Sequence, residues 1–217
     1  MVKKMSYLSV LVFAIILLTS VLSAEPGFAE TGGQVFFRYG TSSLKNDRGK
    51  QVFTDTLGTA GTNNDKSGWN VSAGLDTALI RKLGPGDIIG EIMVDYSKYS
   101  QKQVRQTTSA LLGGTNNTEV TVSSLEVVVA PKYRLDGIAG GKLRPWIIPV
   151  GLAFLVNSPP SNDTTYLDIG YHMGAGVEYM VLDILSVGVD YRYTIASGEP
   201  NFKGNHSTAS VYMGINF

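Results

Sequence analysis

The 217-residue sequence contains no cysteine. That excludes a disulfide framework, a thiolate zinc site and a cysteine nucleophile. Histidine is scarce, with two copies, a number that chance alone supplies in a chain of this length. An excess of charge of either sign is missing as well, since 18 Lys and Arg face 18 Asp and Glu. Nothing in that balance draws the chain to nucleic acid or to an acidic polymer. Beyond the amino terminus no apolar run is long enough for a transmembrane helix, so the remainder is either soluble or a β-barrel. What is plentiful is glycine (25) and, among aromatics, tyrosine (11), a composition that leans toward an all-β protein.

The first 29 residues have a separate logic. Lys3 and Lys4 give a positive start, and Leu8 to Leu18 is apolar except for Ser9. Ala24 and then Gly27-Phe28-Ala29 supply small residues. A charged start, a short apolar run and a small-x-small end describe a secretory signal peptide. Cleavage is expected after Ala29, with Ala24 as the alternative, leaving residues 30–217 as one domain. The rival reading is an uncleaved anchor, because Leu8 to Leu22 approaches the minimum span.

Alternation organises the rest. From Leu185 to Ile195 the odd positions are Leu, Val, Val, Tyr, Tyr and Ile, and the even ones are Ser, Gly, Asp, Arg and Thr. Period two of this kind cannot form one apolar helix face. Leu167–Val181 repeats it, and six further strands are expected at Gln34–Leu44, Gly68–Ile80, Asp87–Tyr99, Glu119–Leu135, Leu143–Val156 and His206–Phe217. Leu143–Val156 is the least regular, because Pro145 and Pro149 have no N–H for a ladder. Tight links fall at Arg81–Gly86, Asp136–Lys142 and Leu182–Asp183. Long polar links fall at Lys45–Ser67, Ser100–Thr118, Asn157–Tyr166 and Ala196–Asn205. Short turns at one end and long loops at the other is the asymmetry of transmembrane barrels, with the short turns periplasmic. An even strand count puts both termini there too.

A soluble barrel has the same rhythm with its faces reversed. Three features favour the apolar face outward. Small residues such as Ser72, Gly74, Gly174 and Gly176 lie on the polar face, as a narrow eight-stranded lumen requires. Trp69, Tyr96, Tyr133, Trp146, Tyr179 and Tyr193 lie on the apolar face near strand ends, where interfacial rings gather. The third feature is the end of the chain, where Ala209, Val211, Met213, Ile215 and Phe217 alternate and the last residue is aromatic. This strand resembles the assembly signal of bacterial outer-membrane barrels, carried by Val211, Met213, Ile215 and Phe217. With the leader and eight strands, residues 30–217 resemble the small OmpA-type and opacity-type barrel families. The resemblance implies an all-β, eight-stranded, antiparallel, up-and-down transmembrane barrel in a Gram-negative outer membrane. It also implies outer-membrane lipids, lipopolysaccharide and the barrel assembly machinery as partners. No segment here corresponds to the peptidoglycan-binding domain of full-length OmpA proteins, so a cell-wall tether is not expected.

Parity places Arg38, Asp76, Glu91, Asp95, Glu126, Lys132, Arg134, Glu178, Asp190 and Arg192 in the lumen. Acids and bases are mixed, so ion pairs across the lumen are expected, an unpaired charge there being costly. Two uses remain open. The pairs form a plug that fills and stiffens the barrel, or they exchange partners along a narrow ion path. The plug is preferred, because eight strands leave just enough interior for side chains.

Other chemistry finds little support. His172 is expected in the lumen and His206 at the loop-facing rim. A lipid-modifying barrel enzyme needs a His beside a Ser or an acid, yet Ser207 points away from His206, and no enzyme is expected. Asp163, Asp168 and His172 lack a compact metal-ligand pattern, and no cofactor is expected. Leu112-Gly113-Gly114-Thr115 does not resemble a phosphate loop. Sequons at Asn116, Asn162 and Asn205 are chance matches to a short motif. The Thr-, Asn- and Gly-rich links at 45–67 and 100–118 suit exposed, mobile segments that meet an extracellular ligand. The functions in view are a surface protein, a low-conductance pore and, last, a lipid-active enzyme using His206.

Overall fold

Alternating sequence becomes alternating burial along eight strands. The computed structural model describes residues 32–45, 66–109, 114–138, 140–158, 166–196 and 204–217. The strands are β1 (Gln34–Leu44), β2 (Ser67–Ile80), β3 (Gly86–Ser109), β4 (Gly114–Leu135), β5 (Leu143–Ser158), β6 (Tyr166–Leu182), β7 (Leu185–Ala196) and β8 (His206–Asn216). Each pairs antiparallel with its neighbours in sequence. β1 also pairs with β8, from Gln34↔Asn216 to Leu44↔His206, and the sheet closes into a barrel. Closure pairs the two strands that would otherwise be edges, which a sheet facing hydrocarbon requires.

The faces are inverted relative to a soluble barrel. Phe37, Tyr39, Val71, Ile92, Val94, Leu152, Val189 and Val211 are exposed, while Arg38, Glu91, Glu126 and Arg192 are each 2% exposed or less. Trp69 and Tyr96 meet edge to face on the outer wall near the loop end, with ring centroids 5.8 Å apart. Tyr179 is exposed near the turn end, and the hydroxyl of partly exposed Tyr133 donates to the Leu83 carbonyl there (2.9 Å). Aromatic residues thus border the apolar band on both sides, as amphipathic rings do at lipid–water boundaries.

The turn end is built by backbone conformations that favour glycine. Gly84, Gly140 and Gly141 have φ of 66°, 74° and 85°. Lys82 shares this region (φ 57°), and its N–H donates to Asp87 Oδ1 (2.9 Å), which anchors the turn. The third tight turn is Asp183-Ile184, one residue later than the expected Leu182–Asp183.

Two expectations are corrected. Much of the expected Ser100–Thr118 link is strand, since β3 continues to Ser109 and β4 starts at Gly114, paired from Lys102↔Thr121 to Ser109↔Gly114. This stretch is polar at both parities, so alternation carried no contrast to reveal it. Trp146 faces the lumen and is 4% exposed, not the outer face as expected. The cause is a bulge in β5, where the register shifts between Ile148 and Gly151 and both Pro149 and Val150 are exposed. One extra outward residue reverses parity, so Trp146 and Ile148 point inward, as do Gly151, Ala153 and Leu155 beyond it. The expected leader (residues 1–29) and most of the 45–67 link lie outside the described residues, as does Asp163.

Candidate functional site in the lumen

All ten charges assigned to the lumen from parity are buried. Inward parity delivers each one, and a narrow barrel brings them within reach of one another and of the other polar side chains inside. The central part is an alternating chain of seven charges. Arg38 forks onto Asp190, Nη2 to Oδ1 at 2.6 Å and Nε to Oδ2 at 2.8 Å. Its other arm lies 3.5 Å from Asp95 and donates to Ser72 Oγ at 2.8 Å. Asp190 also accepts from Arg192 Nε (3.2 Å), and Arg192 forks onto Glu91. Glu91 in turn holds Lys132 at 2.6 Å, and Lys132 reaches Asp76 at 2.6 Å. Acid and base alternate from Asp95 through Arg38, Asp190, Arg192, Glu91 and Lys132 to Asp76. Such contact compensates burial that would otherwise be prohibitive.

The remaining valences are filled by neighbouring polar groups. Asp95 accepts from Asn70 Nδ2 (2.8 Å), Ser72 Oγ (2.5 Å) and Ser97 Oγ (2.9 Å). Phe36, Met93, Val128, Trp146, Ile148, Leu155 and Tyr212 pack an apolar cluster inside the barrel. Lys132 Nζ lies 5.1 Å from the Phe36 ring centre and 4.8 Å from that of Trp146, and Arg192 approaches both rings as well. These cation–π contacts fasten the aromatic cluster to the charges. The indole N–H of Trp146 donates to Tyr212 Oη at 2.8 Å.

Toward the turn end, Glu178 pairs with Arg144 and accepts from Gln34 Nε2 at 2.7 Å. Arg134 stands apart from the central chain, 3.7 Å from Asp87. Toward the loop end, Glu126 has a different partnership. Its Oε2 is 3.0 Å from His206 Nε2, and its Oε1 is 3.2 Å from His172 Nδ1 and accepts from Thr194 Oγ1 at 2.8 Å. Sequence reasoning missed Arg144, because the bulge hid its parity. It also placed the two histidines without seeing that they share Glu126, a convergence across 46 and 80 residues that leaves no local signal. Ser207 is on the outward face, paired with Tyr193, and so is separated from the His206 side chain as parity implied. Among the described residues no group of three His, Asp or Glu side chains is placed to hold a metal ion.

The profile of the outer membrane protein beta-barrel domain matches residues 13–217. The chain belongs to this outer-membrane barrel family. Solved structures resemble it at low identity. Neisserial surface protein A aligns with a TM-score of 0.54 and 15% identity, over 86% of this chain and 98% of its own. OprG of Pseudomonas aeruginosa gives 0.47 and 13%, over 86% and 97%. The outer membrane enzyme PagL gives 0.46 and 15%, over 85% and 99%. At such identity the likeness to the Neisserial protein concerns the fold. No curated protein matches the chain in sequence. An outer-membrane barrel therefore sits in lipid through its apolar wall, and its charged interior is the part that differs from a plain membrane anchor.

Proposed function

We propose that this outer-membrane barrel is a non-catalytic surface protein whose lumen is sealed and whose loop end meets an extracellular ligand. The observation that carries the reading is the seven-charge chain across the lumen, interleaved with buried Phe36, Trp146 and Tyr212. A path for ions through it must break several charge-assisted contacts at once. With the lumen closed, specificity falls to the loop end, where the β3–β4 hairpin continues beyond the last pairing of β3 with β2 at Gly68↔Tyr99. The reading takes the short turns as periplasmic and the loop end as external. It includes export through a leader cleaved after Ala29 or Ala24, lipopolysaccharide around the loop end, and recognition of Val211, Met213, Ile215 and Phe217 by the barrel assembly machinery.

One observation favours a narrow pore instead. Arg38 stands between Asp190 and Asp95, at 2.6 and 3.5 Å, and Lys132 between Asp76 and Glu91, so partners are at hand for exchange. Single-channel recording of the refolded protein in a planar bilayer separates the readings. We expect no unitary steps when folded insertion is verified by gel mobility. Reproducible steps that change with Arg38→Ala would replace the sealed barrel with a pore.

A further inference from the structure

The two histidines, the chain's whole complement, meet on one buried carboxylate. Glu126 comes from β4, His172 from β6 and His206 from β8. Hydrogen-bond valence ties the proton count at His206 to that of Glu126. Its Nδ1 lies 3.0 Å from the Gly204 carbonyl oxygen and its Nε2 lies 3.0 Å from Glu126 Oε2. A carbonyl oxygen and an ionised carboxylate both only accept. With Glu126 ionised, both contacts are hydrogen bonds only if both ring nitrogens carry hydrogen, so His206 facing that carboxylate is an imidazolium. At His172 the pattern differs. Thr194 Oγ1 donates to Glu126 and accepts from His172 Nδ1 at 2.9 Å, while His172 Nε2 is buried without a partner.

The position of this cluster gives it leverage. Leu44 pairs in register with His206, and buried Leu44, Tyr99 and Val122 form a small apolar cap at this end of the lumen. Gly204 leads into β8, the Asn205 carbonyl accepts from the Lys45 N–H (2.9 Å), and Asn205 Oδ1 accepts from the Ala196 N–H (2.9 Å). Holding residues 204–206 to Glu126 therefore ties β4 to the loop ends of β1, β7 and β8.

We propose that Glu126, His206 and His172 form a proton-held latch across the loop end of the lumen, closed while His206 carries both ring protons. The latch deepens the sealed-barrel reading and rests on it. Loss of one proton leaves a bare ring nitrogen facing either Glu126 or the Gly204 carbonyl, and both repel it, so raising the pH releases the latch. Among the described residues, the titratable and charged groups on the inward faces at this end are Asp95 and Tyr99 on β3, Glu126 on β4, and His172 on β6 with Asp168 in register across Leu155 from Glu126. Arg38 on β1 reaches Thr208 (3.4 Å), and Arg192 lies two residues inward of Thr194 on β7.

Two features of the sequence make the test clean. With two histidines, nitrogen NMR on histidine-labelled, refolded protein reports two rings, assigned with His172→Gln and His206→Gln. At neutral pH we expect both His206 nitrogens protonated, and Glu126→Gln to leave only one protonated. A neutral His206 in the unaltered protein, or one indifferent to Glu126→Gln, overturns the latch. With no native cysteine, Ser124→Cys places a single reporter two residues from Glu126, at a position whose hydroxyl is buried and unpartnered. Its reaction with a water-soluble thiol reagent, compared at one pH, should accelerate about tenfold on adding Glu126→Gln, the factor one charge-assisted hydrogen bond supplies. Equal rates overturn the gating role, as would unchanged rates with His206→Gln. The bilayer recording judges the sealed lumen separately, since a silent barrel with a neutral His206 defeats the latch alone.

Discussion

Lys132 offers the sharpest probe of the interior, because its two acids can be varied one at a time. Its ammonium lies 2.6 Å from Asp76 and 2.6 Å from Glu91, nearly enclosed one step from the end of the alternating chain. Replacement by Met keeps an unbranched side chain against the Phe36 and Trp146 rings, where a thioether also packs well. What it removes is the positive charge. Glu91 keeps Arg192, but no cation is paired with Asp76 other than Lys132 among the described residues, and its Oδ1 already lacks a partner. Stranding a buried carboxylate in this way costs about 3–5 kcal/mol. Asp76→Asn alone leaves Lys132 on Glu91 and should cost about 1–2 kcal/mol. The double variant Lys132→Met with Asp76→Asn removes both members of the pair and should recover most of the loss, with a coupling of at least about 2 kcal/mol. Urea unfolding of the four proteins in one lipid, read by tryptophan fluorescence and by gel mobility, measures the cycle. Additive losses, or a cost below about 1 kcal/mol for Lys132→Met, would refute the view that these charges compensate one another in a dry interior.

The two tryptophans should respond oppositely to the membrane. Trp69 is 41% exposed on the wall and Trp146 is 4% exposed inside. Brominated acyl chains should therefore quench the Trp146→Phe protein strongly and the Trp69→Phe protein weakly, and equal quenching would place Trp146 outside. At Gly176 a Cβ would lie 2.5 Å from Trp146 Cζ2 and 2.7 Å from the Val189 carbonyl oxygen. Gly176→Ala should destabilise the barrel by about 1–3 kcal/mol in the same urea assay, and a neutral result would mean the ring has room to move.

The sequence disclosed those parts of the molecule in which period two survives. β6 and β7 keep strict alternation, and all ten lumen charges follow from parity. Parity failed where the backbone inserts a residue. Nothing local distinguishes the bulge at Pro149 and Val150 from an unbroken strand containing prolines, and Trp146 and Arg144 were misread or missed for that reason. It was silent where both faces are polar, as in the β3–β4 hairpin. Partnerships such as Glu126 with His172 and His206 depend on which strands lie across the lumen, and that is set by closure, not by neighbours along the chain. Only the three-dimensional arrangement pairs Lys132 with Asp76 from two strands away.

The seam between β1 and β8 has a consequence for the order of events in assembly. Arg38 on β1 holds Asp190 on β7, and Gln34 on β1 holds Glu178 on β6, so these contacts reach across the closing seam. Until β1 meets β8, an open sheet leaves its charged face to water, and the acids and bases stay hydrated. Desolvation and pairing then coincide with closure, so the step that zips the first strand to the last also dries the interior. A folding intermediate of this barrel should therefore be open-seamed and wet, and the charges inside act as a late check that every strand has arrived in register.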